Sequence, residues 1–386
     1  MKKIFLVFVF VLCGLLFSFS PVVPVYAASE DINIAAKAAF LMDSRTGKVL
    51  YEQNSDEKYP VASIVKLMTI LLTLENIENN NLDLDAKVTA SETASSMGGS
   101  QVFIEAGGEY SIEDLLKSVI VSSANDASVL LAETISGSEN GFVKLMNKRA
   151  EELGLENTNY VNSTGLPIAN QFSSAKDCAM LLREVSKHDL YHRYSKIWID
   201  KLSHPKGRET ELVNTNKLIR YYKGCEGGKT GSTDEAGYCL SAVASRGDMK
   251  LIAVVLGTES SKDRFAETTK LLNYGFGTFE NKKIITKSQE LSEKLKILNG
   301  KQKDISIQYK EDFYYICAKN EKANITTKVE LNANLKAPIS KGEKVGKVLI
   351  IVDNIVVGDV DIISSESVDK TTVFDNIVRI LDNYYI

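Results

Sequence analysis

Ser63 and Lys66 stand three residues apart in YPVASIVKLMT, residues 59–69 of a 386-residue chain. On a helix that spacing puts both side chains on one face. The flanks are almost wholly apolar, and lysine is rarely buried without a reason. Apolar surroundings and the positive end of a helix dipole both disfavour a charged amine. A neutral Lys66 could take the proton of the Ser63 hydroxyl, which is the chemistry of a lysine-activated serine nucleophile. S-x-x-K alone is a weak signal: it recurs at Ser55, Ser173, Ser203 and Ser367, all in polar, charged stretches. Without companions, a helix N-cap followed by a snorkelling lysine is the plainer reading.

Two further motifs supply companions. Ser123-Ala124-Asn125 falls between two apolar runs, where a short polar turn could push a hydroxyl and an amide into a cleft. Ser and Asn also make ordinary N-cap turns, and S-x-N recurs at Ser138. Lys229-Thr230-Gly231 occurs once, after Gly227-Gly228 and before a β-rich run. That context predicts an edge strand offering a cation and a hydroxyl to an anionic ligand, with Gly231 permitting close backbone approach. The plainer alternative is a Gly-rich hairpin turn.

The elements that must position these residues can be read from patterning. Residues 38–53 predict a hairpin around a polar S-R-T-G turn. Residues 63–76 have helical periodicity. Ser111-Ile112-Glu113-Asp114 is a capping-box-like start for a helix to about Ser122. Further helices are predicted over about 125–135 and 140–153, a buried hairpin over 238–257, and a helix over 264–274. Strands at both ends and helices between them predict an α+β or three-layer domain in which distant segments pair. Beyond about residue 280 the texture becomes Lys-rich and alternating (ISIQY, FYYICA, ITTKVEL, KVLIIV, IVVGDVDII), which predicts a small all-β domain to about 368. The last segment, 369–386, places Phe374, Ile377, Val378, Leu381 and Tyr385 on one helical face. That face could pack on the β domain or make peripheral membrane contact through 371–386, although such helices are usually richer in Lys and Arg.

Composition is that of a soluble globular protein, 44% hydrophobic and 25% charged, with a formal net charge of −4. No basic patch tracks phosphates, so nucleic acid is excluded as a partner class. Lys2 and Lys3, an apolar run over 4–19, and Val25-Tyr26-Ala27 read as a signal peptide spanning 1–27. Losing those two lysines takes the charge from −4 to −6. Cys178, Cys225, Cys239 and Cys317 match no zinc spacing and read as buried free thiols. None of the three histidines, His188, His192 and His204, has a convincing catalytic partner in the sequence.

In the order S-x-x-K, S-x-N, K-T-G, the three motifs resemble the signature of penicillin-binding proteins and serine β-lactamases. The likeness extends to MDSRTGKVLYEQNSDEKYPVASIVKLMT, NSTGLPIANQFSSAKDCAMLL, NTNKLI and GGKTGSTDEAGYCLSAVA, and to APISKGEKVGKVLI in the β-rich tail. Over nearly the whole chain from residue 28 it is similar to the D-alanyl-D-alanine carboxypeptidases, the low-molecular-mass penicillin-binding proteins of bacterial cell walls. The resemblance implies a transpeptidase-like catalytic domain over 28–279, an α+β domain of penicillin-binding-protein and serine β-lactamase type with α/β/α layers and an antiparallel sheet. It implies an exported enzyme, at the wall or the outer face of the cytoplasmic membrane, that trims the terminal D-alanine from peptidoglycan stem pentapeptides. It also implies acylation by β-lactams, and no metal or cofactor.

Roles carry over by motif. Ser63 would be the acylated nucleophile and Lys66 its base. Ser123 would relay a proton, Asn125 would hold Lys66 and the substrate backbone, and Lys229 would add positive potential. Thr230 would bind the terminal carboxylate, Gly231 would let the strand approach, and Arg264 in SSKDRF would help recognise the carboxylate. The backbone N–H groups of Ser63 and Ser232 would form the oxyanion hole. Val61, Ser232 and Thr215 depart from residues common in the family. A class A β-lactamase would need a glutamate downstream of S-x-N in an E-x-x-L-N arrangement, and ELGLENTNYVNSTGL offers only Glu156. A catalytically silent wall protein is disfavoured because all three motifs are intact.

Overall fold

The computed structural model describes residues 32–384. The signal-peptide reading at 1–27 and the last two residues of the terminal segment lie outside the described residues. The chain opens with a hairpin of β1 (Ala38–Asp43) and β2 (Val49–Gln53), then a 3-10 turn over Ala62–Val65 that runs into α1 (Lys66–Glu78). The short strands β3 (Lys87–Thr89) and β4 (Glu109–Ser111) flank α2 (Glu92–Ser95). Helices α3 (Ile112–Ser122), α4 (Asn125–Ser136), α5 (Glu139–Glu152), α6 (Ala175–Val185) and α7 (Asp189–Ser195) follow. A hairpin of β5 (Ile199–Ser203) and β6 (Glu209–Val213) precedes α8 (Leu218–Tyr221). Then come β7 (Cys225–Thr233), β8 (Gly237–Arg246), β9 (Met249–Thr258) and α9 (Ser261–Thr278).

Five of these strands form an antiparallel sheet in the order β2-β1-β9-β8-β7. The N-terminal hairpin therefore pairs with a strand some two hundred residues later, and β7 is left as an edge. Period-two alternation sends side chains to opposite faces. Phe40, Met42, Ile252 and Val254 join the core built by α1, α3, α4 and α6. Leu41 and Leu251 face α9: a methyl added to Gly275 would stand 2.6 Å from Leu251 Cδ1 and 2.9 Å from Leu41 Cδ2. Both faces are covered by helices, which is the α/β/α layering that the family resemblance implies.

Local signals explain the helix starts. Ser111 caps α3 by accepting from the Asp114 N–H, and Ser138, Ser174 and Ser260 do the same for α5, α6 and α9. One expectation shifts: Ser63 lies in the 3-10 turn, and Lys66 is the first residue of α1. Buried side chains at every position of 64–74 leave α1 enclosed within the domain.

The C-terminal domain is all-β. Strand β10 (Phe279–Ile285) enters it, followed by β11 (Leu295–Lys296), β12 (Asp304–Ile305), β13 (Ile307–Tyr309), β14 (Phe313–Ala318), β15 (Ile325–Leu331), β16 (Lys344–Val352) and β17 (Ile355–Ser364). A four-stranded sheet in the order β13-β17-β16-β15 and the β10-β14 pair enclose a separate core that includes Ile305, Ile307, Val348, Ile350 and Ile362. Lys48 Nζ donates to the Ile316 carbonyl at 2.9 Å, and Arg45 lies 3.7 Å over the Tyr314 ring, tying this domain to the β1–β2 hairpin. Helix α10 (Val373–Tyr384) ends the described chain.

Candidate active site

The nucleophile turn is held by backbone. Ala62 takes a positive φ of 47°, uncommon for a residue with a Cβ. Ser63 follows it, and Lys66 Nζ, on a fully buried side chain, lies 2.9 Å from Ser63 Oγ in hydrogen-bond contact. Lys66 Nζ also donates to the Thr164 carbonyl at 2.5 Å. Burial pushes the Lys66 pKa far below that of an ordinary lysine, the charge of Lys229 pushes it further, and Asp126 opposes them. The amine is therefore poised to accept the serine proton.

Thr164 is a site residue that the motifs did not reveal, because it acts through its backbone carbonyl. Its loop is fixed by Asn162, whose Oδ1 accepts from the Thr164 and Gly165 N–H groups at 3.2 and 2.7 Å. Gly165 sits at φ +80°, where a Cβ would fall 2.1 Å from the Ala62 carbonyl oxygen. Only glycine lets the loop close onto the nucleophile turn.

The second wall comes from the turn between α3 and α4. Ser123 ends α3 in the left-handed region at φ 62° and is buried. Lys229 Nζ, reaching from β7, donates to Ser123 Oγ at 2.6 Å. Burial, aided by Arg264, pushes the Lys229 pKa down to about 7. Asn125 departs from the expectation that it would hold Lys66. Its Nδ2 donates instead to the Gly98 carbonyl at 2.7 Å, and its buried Oδ1 has no partner among the described residues. The reason is segment 98–104, which lies over this turn. The Asn125 N–H donates to the Ser100 carbonyl, and the Val102 and Ile104 N–H groups donate to the buried Asp126 carboxylate at 3.0 and 3.2 Å. Asp126 was not singled out from the sequence, since nothing there shows which backbone it grips.

The third wall is the free edge of β7. Thr230 Oγ1 donates to Thr215 Oγ1 at 2.8 Å. The backbone at Gly231 presses so near that a Cβ would stand 2.5 Å from the Val61 carbonyl oxygen and 3.1 Å from Ser63 N. The close approach foreseen at Gly231 is thus to the nucleophile turn itself. Ser232 is exposed at the strand's outer end. Arg264 Nη1, from α9, donates to the Gly231 carbonyl at 3.1 Å, so the guanidinium braces β7 from within.

Ser63 with Lys66, and Ser123 with Lys229, thereby form two hydrogen-bonded pairs, with Thr230, Gly231 and Ser232 on the strand that carries Lys229. The histidines are engaged elsewhere: His188 with Glu78, His192 with the Ser186 carbonyl, and His204 with Tyr110 and Thr210. Glu156 is exposed in the turn after α5. Cys178, Cys225, Cys239 and Cys317 are free thiols. The site can perform serine acylation with an amine base, at a strand edge able to take an extended peptide.

Comparison with known proteins agrees with this chemistry. A family model described as D-alanyl-D-alanine carboxypeptidase matches residues 25–260, and one described as penicillin-binding protein 5, C-terminal domain, matches residues 279–370. The D-alanyl-D-alanine carboxypeptidase DacF of Bacillus subtilis (strain 168) is 40% identical over 89% of this chain and 88% of its own length. DacC of Escherichia coli (strain K12) is 33% identical over 86% of this chain and 84% of its own. Among solved structures, penicillin binding protein 5 of Haemophilus influenzae superposes with a TM-score of 0.73 at 30% identity, covering 89% of this chain and 100% of that one.

Proposed function

We propose, on the premise that this chain belongs to the D-alanyl-D-alanine carboxypeptidase family, that it removes the terminal D-alanine from peptidoglycan stem pentapeptides as a serine hydrolase. The observation that carries the reading is the buried, charge-disfavoured Lys66 amine 2.9 Å from Ser63 Oγ. Ser63 Oγ attacks the carbonyl between the two D-alanines while Lys66 takes its proton. The oxyanion is held by the N–H groups of Ser63 and Ser232, an arrangement favoured by the packing of Gly231 against the nucleophile turn. Ser123, bonded to Lys229, relays the proton taken up by Lys66 to the leaving amine, and D-alanine departs. Water then hydrolyses the Ser63 ester.

Thr230 receives the terminal carboxylate, with Lys229 supplying potential. Arg264 contributes through β7, and the unpartnered Asn125 Oδ1 accepts from a substrate amide. β-Lactams enter the same site and acylate Ser63. The division is a catalytic domain over 28–279, a β domain over 280–368 and a terminal segment over 369–386, following removal of 1–27 on export. The terminal segment rests peripherally on the outer face of the cytoplasmic membrane. Incubation with a pentapeptide ending in D-Ala-D-Ala should release D-alanine, penicillin should block it, and Ser63→Ala should lower it by ~10⁴-fold or more. Activity retained in Ser63→Ala would sink the assignment.

A further inference from the structure

The proposed roles set the direction in which a substrate runs. Its terminal carboxylate lies at Thr230 and its scissile carbonyl at the Ser232 N–H, so the peptide passes antiparallel to β7. The residue before D-Ala-D-Ala then lies beyond Ser232, toward the turn after the strand. A groove is found in that direction. Its floor includes Val61, its wall is Leu166, Pro167 and Ile168, and its rim carries Gln171 and Glu235.

The wall is built before substrate arrives. Gln171 Oε1 accepts from the Val161 and Asn162 N–H groups, while Asn162 Nδ2 and Gln171 Nε2 both donate to the Leu166 carbonyl at 3.0 and 3.2 Å. The same loop carries Gly165 against the nucleophile turn and Thr164 against Lys66, so wall and catalytic base are in direct contact. Ile168 presents apolar surface, 47% exposed. Glu235 is the ionisable residue of the lining and has no ion-pair or hydrogen-bond partner among the described residues; Asp234 beside it is exposed too. The apolar wall of Leu166, Pro167 and Ile168, with an unpaired carboxylate on the rim, complements a side chain with a methylene stem and a terminal ammonium.

We propose that this groove is a specificity subsite for the stem-peptide residue preceding D-Ala-D-Ala, and that Glu235 selects a long cationic side chain there. The proposal rests on the carboxypeptidase reading above. A solvent-exposed charge pair of this kind changes kcat/KM by about two- to fivefold, and less at high salt. The test uses the full chain and two peptides, Nα-acetyl-L-lysyl-D-alanyl-D-alanine and its Nα,Nε-diacetyl counterpart. The expected result is that the wild type prefers the free amine by about two- to fivefold, and that Glu235→Gln brings the ratio of the two kcat/KM values to about one. Turnover of both peptides without preference, or a ratio unmoved by Glu235→Gln, would overturn the subsite while leaving the carboxypeptidase reading intact. Release of D-alanine from neither peptide would overturn that reading itself, and the subsite with it.

Discussion

Lys66 concentrates the conflict between stability and chemistry. It is fully buried, and its pKa is pushed far down, chiefly by burial. Such a lysine holds its proton more weakly in the fold than in the unfolded chain. The folded state binds fewer protons, so stability is withdrawn below the unfolded lysine pKa of about 10.4, and increasingly so as pH falls toward the folded value. Lys66→Met should therefore abolish acylation yet raise stability at pH 7 by about 1–2 kcal/mol. The gain should shrink as pH rises toward 10. Thermal melts at both pH values check this, and a variant less stable at pH 7 would contradict it. Ser63, Lys66, Ser123, Lys229 and Thr230 were legible in the sequence because their chemistry resides in side chains at fixed spacing. Thr164 and the Gly98 carbonyl were not, because a backbone acceptor leaves no mark in residue type. The role expected for Asn125 changed for the same reason: the Gly98 carbonyl takes its amide.

At the scale of elements, the site is the meeting of three pieces: the turn leading into α1, the turn between α3 and α4, and the edge of β7. The hairpins at 38–53 and 238–257, helices α1, α3, α4, α5 and α9, and the edge position of β7 followed from periodicity and turn chemistry, whereas α6, α7 and the β5–β6 hairpin were not foreseen. Two features of the site were not legible either. The 3-10 turn at Ala62–Val65 arises from the packing of Gly231 and Gly165 against it, which is tertiary. The clamping of segment 98–104 by Asp126 depends on contacts between separate parts of the chain. Gly165→Ala tests the coupling of loop to nucleophile. At φ +80°, with its Cβ 2.1 Å from the Ala62 oxygen, the variant must displace one or the other. The expected outcome is a loss of about 2 kcal/mol or more, from strain and overpacking, with β-lactam acylation slowed by more than the fall in folded fraction explains. Unchanged melting and acylation would show that the loop does not brace the turn.

The whole molecule adds to this centre a second core and a terminal helix whose described apolar residues are exposed. The all-β tail and the pairing of distant segments were readable from changes in texture along the sequence, and the α/β/α layering came with the family resemblance, whereas the register of β1 on β9 needed the fold. In α10, Val373, Phe374, Ile377 and Val378 are all exposed, at 79%, 74%, 50% and 39%, so these side chains are not packed on the β domain. Thr372 and Asp375 cap the helix reciprocally, so it is set up to form without that support. Asp375, Arg379 and Asp382 supply no excess of positive charge, so membrane contact would be driven by apolar burial. Full-length protein should sediment with neutral phosphatidylcholine vesicles at both low and high salt, and a chain ending at Lys370 should not. Both forms remaining in the supernatant would count against peripheral anchoring.

The central claim is that Ser63 forms a covalent acyl-enzyme with Lys66 as its base. Intact-mass measurement after incubation with penicillin, followed by peptide mapping, tests it most directly. The account predicts one added penicilloyl group, carried by the peptide containing Ser63, and none in Ser63→Ala or Lys66→Met. An adduct on another residue, or full labelling of Lys66→Met, would contradict it.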